Sequence, residues 1–492
     1  MKPGTKVAVL GDFAFKPRFQ GAGSSTVNAV KVEDTFDALE HEGLQIISKC
    51  SAFARDGSEN KALEREAVEA AKRAETVLFY MGLDEISESE GRDRDHMKLH
   101  ENQASVLEAV AAVNPNVAII LSAGSPVEMP WLAHAKALLD GYLGGEAGAA
   151  AMAEVITGKV NPCGKLAETL PFAYEDVPGH QEYPAQEWNA CYKESLYVGY
   201  RYYDTAGVPV RFPFGYGLSY TTFAYSDICV APQSVSFTLT NIGDCSGSEI
   251  TQLYISKPDS EIFRPRKELK GFAKTCLQPG ESKRVTIALD DKAFRYFNIR
   301  TEKWEVEDGV YRLTIAASSA EPKLSALIEV NGTGAPNPYA HIQLPSCYRT
   351  GKVQSVSDRD FETLLGRTIP QPPKGIHRNS AIRDLKHSRA PLGFIAAGAL
   401  AAVEKRNVEK GTPDLNTDFI YNMPLRGIAK YIDLIDMAVA DGLVMEAKGF
   451  WIIGLLRALA ALIHNQAANA TLAKTLEKQA KHGERLPEGS GN

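Results

Sequence analysis

No apolar signal segment opens this 492-residue chain, which starts Met1-Lys2-Pro3-Gly4-Thr5-Lys6. Its seven cysteines (Cys50, Cys163, Cys191, Cys229, Cys245, Cys276, Cys347) are scattered, odd in number and never in a CxxC pair. Together these absences predict a reducing, cytoplasmic setting with free thiols. Zinc-type spacing of cysteine and histidine is missing, so no metal is expected, and no cofactor motif is found. Basic residues are not in excess. The formal charge of −7 argues against nucleic acid or an acidic membrane surface as partner. The longest apolar run, residues 450–463, is interrupted by Arg457 and is short for a bilayer span, so the chain reads as soluble. The glycine-rich stretch 18–25 lacks both GxGxxG spacing and a Walker lysine. It is a weak nucleotide cradle and reads better as a structural or sugar-facing loop.

What is present divides by hydrophobic period. Over residues 1–175, buried strands (6–11, 44–50, 76–81, 116–121, 137–143) alternate with helical patterns (27–42, 60–74, 101–110, 149–157), as an α/β layer domain requires. Residues 176–222 form an aromatic, glycine-rich connector, read as irregular, with its rings on the first domain. Over residues 223–332 the period is two, and turn signals such as Gln278-Pro279-Gly280-Glu281 separate the runs. That pattern predicts an all-β immunoglobulin or fibronectin III-like sandwich. A proline- and glycine-rich linker (333–390) precedes a C-terminal helical region (391–492) whose last residues, 484–492, are expected to fray. Trp451, Leu455 and Leu459 recur every four residues and read as helix core.

The stretch with the most chemistry is Ser87-Glu88-Ser89-Glu90-Gly91-Arg92-Asp93-Arg94-Asp95-His96-Met97. It leaves the carboxyl end of a buried strand, where ligands collect in open α/β sheets. Glu85, Glu88 and Glu90 crowd two arginines, and Gly91 allows a tight turn beside Glu90. A carboxylic acid placed there could protonate a leaving group once a second surface closed over it. A solvated, self-paired charge cluster would show the same composition.

Three co-linear sets of residues separate these readings. The first is Glu88-Ser89-Glu90-Gly91-Arg92-Asp93-Arg94 with Glu101-Asn102-Gln103. The second is Gly124-Ser125-Pro126-Val127-Glu128, then Gly144-Gly145-Glu146-Ala147-Gly148 and Gly164-Lys165-Leu166-Ala167-Glu168-Thr169. The third is Phe212-Pro213-Phe214-Gly215-Tyr216-Gly217-Leu218-Ser219-Tyr220 with Lys267-Glu268-Leu269-Lys270-Gly271-Phe272. In this order they resemble the carboxyl-terminal half of glycoside hydrolase family 3, β-glucosidase type, over about residues 4–330. The segment 361–367 and Pro424-Leu425-Arg426 resemble an appendage of a bacterial branch of that family.

The resemblance implies retaining hydrolysis of β-glucosides or related saccharides, with Glu90 as general acid/base. It implies a supporting part for Glu88, and an internal pair, Asp93 with Arg94, that fixes the loop. Arg92 stands where an aromatic residue is usual and His100 where proline usually begins the helix, so Arg92 is a substrate-contact or loop-supporting candidate. The family's nucleophile motif, Ser-Asp-Trp, does not occur in these residues. Nor does any stretch show the eightfold βα pattern of a barrel of about 250 residues. The chain therefore reads as the acid/base half of a site, paired with a separate (β/α)8 barrel. The alternatives are a non-catalytic carbohydrate-binding or interaction protein and a truncated product.

Overall fold

A computed structural model describes residues 1–184, 189–371, 373–388, 391–409, 415–431 and 435–482; the segment expected to fray, 484–492, lies outside them. Two compact units result, Met1–Glu88 with Asp93–Ile369, and Ser89–Arg92 with Pro370–Asn492.

The first unit begins with five parallel strands, β1 (Lys6–Leu10), β2 (Gln45–Cys50), β3 (Thr76–Gly82), β4 (Val117–Ser122) and β5 (Ala137–Asp140), in the order β2-β1-β3-β4-β5. Helices α1 (Asp12–Phe15), α2 (Thr35–His41), α3 (Lys61–Arg73), α4 (Glu101–Val113) and α5 (Gly148–Thr157) accompany them. Strand β3 is buried from Val77 to Gly82, which is why its sequence runs apolar without alternation. Helix α3 starts where the Asn60 side chain accepts the amides of Ala62 and Leu63, and it buries Ala67, Ala70 and Ala71. The last residue of β3, Gly82, has to be glycine because a Cβ there would lie 2.0 Å from the Ser122 carbonyl oxygen of β4.

Two elements are shorter than their patterns predict. The helix expected over 27–42 occupies only Thr35–His41, because the Asp34 carboxylate caps the amides of Phe36 and Asp37 and fixes the start there. Strand β5 stops at Asp140, where Tyr142 takes a φ of +48° that ends the extended run.

The connector contains order that its composition concealed. Strands β6 (Leu170–Pro171) and β7 (Val210–Phe212) pair, and α6 (Tyr200–Ala206) forms between Gly199 and Gly207, both at positive φ. Its rings divide: Phe212, with Tyr216 stacked on it at 5.0 Å, packs on the first domain as expected, while others lie on the β-sandwich side. Tyr200 packs on Phe214 (4.9 Å) and Tyr254 (5.8 Å), while Tyr197, Tyr202 and Tyr203 join Phe263 and Tyr348 in a separate core.

The sandwich comprises β8 (Phe223–Ala231), β9 (Ser234–Asn241), β10 (Gly247–Ser256), β11 (Glu268–Leu277), β12 (Ser282–Ala288), β13 (Arg295–Asn298), β14 (Lys303–Val306), β15 (Gly309–Ser318) and β16 (Glu321–Val330). One sheet runs β11-β10-β15-β16 and faces β12-β9-β8; β13 and β14 form a hairpin. Alternation along β9 turns Val235, Phe237 and Leu239 fully inward, each burial stabilising by roughly 2 kcal/mol. Lys165 reaches across from the α/β layer to the Gly217 carbonyl (2.9 Å) and to Glu249 (3.1 Å). The stretch read as a linker holds two short helices, α7 (Ser346–Thr350) and α8 (Asp358–Leu365), and it buries Tyr348, Val353 and Val356.

The second unit is helical: α9 (Pro391–Glu409), α10 (Leu415–Asn422), α11 (Leu425–Tyr431), α12 (Met437–Ala447) and α13 (Trp451–His482). Its core gathers Ile382, Leu425 and Val444. Helices α12 and α13 cross in backbone contact, since a Cβ on Gly454 would stand 2.5 Å from the Glu446 nitrogen. This close side leaves the opposite face open. Trp451 (52%), Leu455 (43%) and Leu459 (46%) are exposed rather than core, correcting the reading of their fourfold spacing. The helix also continues past residue 463 on alanine and uncharged polar residues. By length and composition, 451–478 is long and apolar enough to cross a membrane, which overturns the reading of this run as too short.

Gly215 sits at φ +78°, with the Gln252 amide donating to its carbonyl (3.0 Å), and a Cβ there would fall 2.1 Å from Gln252 Oε1. Gly215→Ala should lower the unfolding free energy of the sandwich by about 1–3 kcal/mol, measured by urea denaturation followed through tyrosine fluorescence.

Candidate functional site

The strand order places a topological switch between β1 and β3, so the loops leaving these strands diverge and open a crevice at their carboxyl ends. Arg18, from the loop after β1, fills that position. Its Nη1 donates to Glu88 Oε2 (2.6 Å) and to the Leu83 carbonyl (3.0 Å), and its Nη2 to the Glu88 carbonyl (2.8 Å). Glu88 Oε2 also accepts the Gly124 amide (2.8 Å), and Oε1 accepts the Ser125 hydroxyl. One carboxylate thus ties together the loops after β1, β3 and β4. Gly124 lets the carboxylate approach this closely, since a Cβ there would lie 3.1 Å from Glu88 Oε2 and press on it.

The root of the charged loop is pinned a second time. Asp84 Oδ1 accepts the amides of Ile86 (2.9 Å) and Ser87 (2.6 Å), while its Oδ2 lies 2.6 Å from His100 Nε2. Burial alone would raise the Asp84 pKa; the hydrogen bonds from His100 and Ser87 overcome it and bring the group down to about 2. The bond to Asp84 raises the His100 pKa. Gln103, fully buried in the first turns of α4, accepts the Gly82 amide (3.0 Å) and donates to the Gly82 carbonyl (2.9 Å), fixing the last residue of β3.

Of the three crowded glutamates, Glu85 is bound by Arg55 (2.7 Å) and Glu88 by Arg18, whereas the residue Glu90 is exposed. Asp93 and Arg94 do not form the internal pair expected of them. Asp93 accepts the Tyr183 hydroxyl (3.0 Å), and Arg94 Nη1 donates to Ser125 Oγ (2.6 Å) and the Pro126 carbonyl (3.2 Å), because the β4 loop offers the nearer acceptors. Burial lowers the Arg94 pKa. Ser89–Arg92 groups with the helical unit. Its turn is closed by the Arg92 amide on the Ser89 carbonyl (3.4 Å) with Gly91 at φ +81°, and Arg92 Nε meets Asp418 Oδ2 at 2.6 Å. Arg18, Asp84 and Asp418 were not singled out in the sequence. Among the described residues no cluster of histidine, cysteine, aspartate or glutamate fits a metal ion.

Two family models match this architecture: the glycosyl hydrolase family 3 C-terminal domain over residues 1–220 and a fibronectin type III-like domain over residues 249–319. The chain belongs to glycoside hydrolase family 3. Thermostable beta-glucosidase B of Acetivibrio thermocellus is 42% identical over 344 residues, which is 68% of this chain and 45% of that protein. An exo-alpha-(1->6)-L-arabinopyranosidase of Bifidobacterium breve is also 42% identical, over 340 residues, with the same two shares. The crystal structure of a Bifidobacterium adolescentis GH3 beta-glucosidase superposes with a TM-score of 0.65 at 39% identity, covering 69% of this chain and 52% of that one. Beta-glucosidase 3B of Thermotoga neapolitana in complex with alpha-D-glucose gives 0.60 at 28% identity, over 67% and 51%. This family 3 chain therefore spans about half the length of the relatives it matches.

The loop root yields two predictions. Glu88→Gln, which strips the nearly unexposed Arg18 of its counter-charge, should destabilise the α/β domain by about 3 kcal/mol in urea denaturation. For the Asp84–His100 pair, the raised His100 pKa makes its contribution complete below the ordinary histidine value of about 6.5 and lost as pH rises through the higher folded value. The depressed Asp84 pKa makes its contribution present above about 3.9 and lost as pH falls toward about 2. The Tm difference between wild type and His100→Ala should thus be greatest from about pH 4 to 6.5 and shrink on either side.

Proposed function

We propose that this family 3 chain supplies the acid/base half of a retaining O-glycosyl hydrolase site, with Glu90 as the proton-transferring carboxyl. Retention needs two carboxyl groups about 5–5.5 Å apart, one attacking the anomeric carbon and one serving the leaving oxygen. The nucleophile would come from a (β/α)8 barrel, on a second chain or on a longer polypeptide. Enclosed by that barrel and the sugar, Glu90 would lose water, rise in pKa, protonate the departing glycosidic oxygen and then take a proton from the incoming water. The observation that carries this reading is exposure: Glu90 stands open to solvent on the loop that leaves the carboxyl end of β3, where a second surface could enclose it. β-Glucosides are the proposed substrate class, as the family's β-glucosidase members suggest.

The 492 residues alone should hydrolyse aryl β-glucosides negligibly. Added to a family 3 barrel domain they should restore turnover, and Glu90→Gln should then cut it by about 10²–10⁴-fold for an alkyl glucoside. Measured as kcat/KM, which reports the first step alone, the loss should be much smaller for a dinitrophenyl glucoside, whose leaving group departs without a proton. Turnover by the chain alone that Glu90→Gln abolishes would overturn the half-site reading, and an indifferent Glu90→Gln in the assembled enzyme would overturn the role of Glu90. Calorimetric heat with cellobiose that survives Glu90→Gln, without turnover in either assembly, would favour a carbohydrate-binding protein.

A further inference from the structure

We propose that the C-terminal helices hold the loop tip that carries Glu90, and that Arg92 and Asp418 are positioning residues for its proton transfer. The residues joined here are 326 positions apart in the chain, yet Arg92 Nε lies 2.6 Å from Asp418 Oδ2. Asp418 is 2% exposed, so without Arg92 it would be a buried charge with no counter-ion from the tip, and the cost of that state drives the pair together.

The receiving surface is itself fixed. The carbonyl of Asp418 accepts the Asn422 amide (2.9 Å), and Asn422 Oδ1 accepts Arg383 Nη1 (2.8 Å). Beyond α10, the Ile382 amide bonds the Met423 carbonyl (3.0 Å), and the Leu425 side chain is fully buried in the unit's core. The tip touches this surface through its backbone as well: Gly91 lines a cleft of about 350 Å³ with Phe419, Met423, Pro424 and Tyr431. Within the tip two hydrogen bonds to the backbone are long, the Arg92 amide to the Ser89 carbonyl at 3.4 Å and the Ser89 hydroxyl to the Glu90 carbonyl at 3.2 Å. A side chain that must deliver a proton needs placement to about half an ångström. The Arg92–Asp418 pair supplies an anchor two residues from Glu90.

The catalytic meaning of the anchor rests on Glu90 as proton donor; the anchoring itself does not, and the experiment separates them. Amide exchange in the full chain is followed for a peptide covering 86–95, with one from α4 as folding control, in wild type, Asp418→Asn, Arg92→Gln and the exchanged pair Arg92→Asp/Asp418→Arg. Each single variant should speed exchange of the tip about tenfold or more, the size expected for one charge-assisted bond, and the exchanged pair should recover most of the protection. Should Asp418→Asn unfold the helices, Arg92→Gln at the loop carries the same test. Tip exchange unchanged in Arg92→Gln would overturn the proposal.

In the barrel-assembled enzyme, Arg92→Gln should lower kcat/KM for an alkyl glucoside more than for a dinitrophenyl glucoside, with recovery in the exchanged pair. Equal loss on both substrates would overturn the positioning role. If instead Glu90→Gln proves silent while tip exchange behaves as expected, the catalytic reading falls and the anchoring stands.

Discussion

A single carboxylate, that of Glu88, sets the geometry on which the rest of this face depends. Arg18 is almost wholly removed from solvent, and a guanidinium in that position persists only with an opposite charge and acceptors matched to its fork. Glu88 provides the charge, and the backbone carbonyls of Leu83 and Glu88 provide further acceptors. In the same stroke the carboxylate gathers the Gly124 amide and the Ser125 hydroxyl. Strands β1, β3 and β4 would be neighbours without it, but their outgoing loops would have no common point. A binding crevice at a switch in strand order needs its walls held at a fixed distance, and here the pair that spans the switch holds them.

The two acidic residues of the motif therefore do opposite things with the same functional group. Glu88 spends its hydrogen-bonding capacity on the scaffold, whereas Glu90 is carried two residues outward to an exposed position. On the proposed reading, this separation is what the proton-transferring carboxyl requires. A carboxyl that a second surface can enclose has its protonation set by that enclosure. The Asp84–His100 and Gln103–Gly82 contacts extend the same scheme downward, from the loop root into the end of β3.

Much of this was legible in the sequence wherever local pattern decides structure. The unbroken apolar run of β3, the alternation along β9 and the glycine at the tip each carry their conformational reason in the residues themselves. The family motifs marked Glu88 and Glu90 before any contact was known. What was hidden depends on distance along the chain. Arg18 lies in a loop with no distinguishing spacing, 70 residues from its partner, and Asp418 lies 326 from Arg92. Asp93 and Arg94 are adjacent and of opposite sign, which suggests a pair, but Tyr183 and Ser125 offered better-placed partners. In α6, aromatic and glycine content suggested irregularity, although the two glycines bracket a helix rather than break one. The stripe Trp451, Leu455, Leu459 shows the limit of periodicity. It identifies a face but not what lies against it, and here the small residues Gly442 and Gly454 make the contact instead.

The fastening of the charged loop on both sides of its tip has a consequence for how the tip can diverge in sequence. Glu88 and Arg94 are each committed to the sheet's own loops, so residues 89–92 form a cassette bounded by fixed posts. A change of sequence within those four residues, with Glu90, Gly91 and Arg92 kept, leaves the side-chain bonds of the posts in place. A change at the tip therefore leaves the sheet beneath it undisturbed, and grafting experiments on this scaffold have their natural cut points at the two posts.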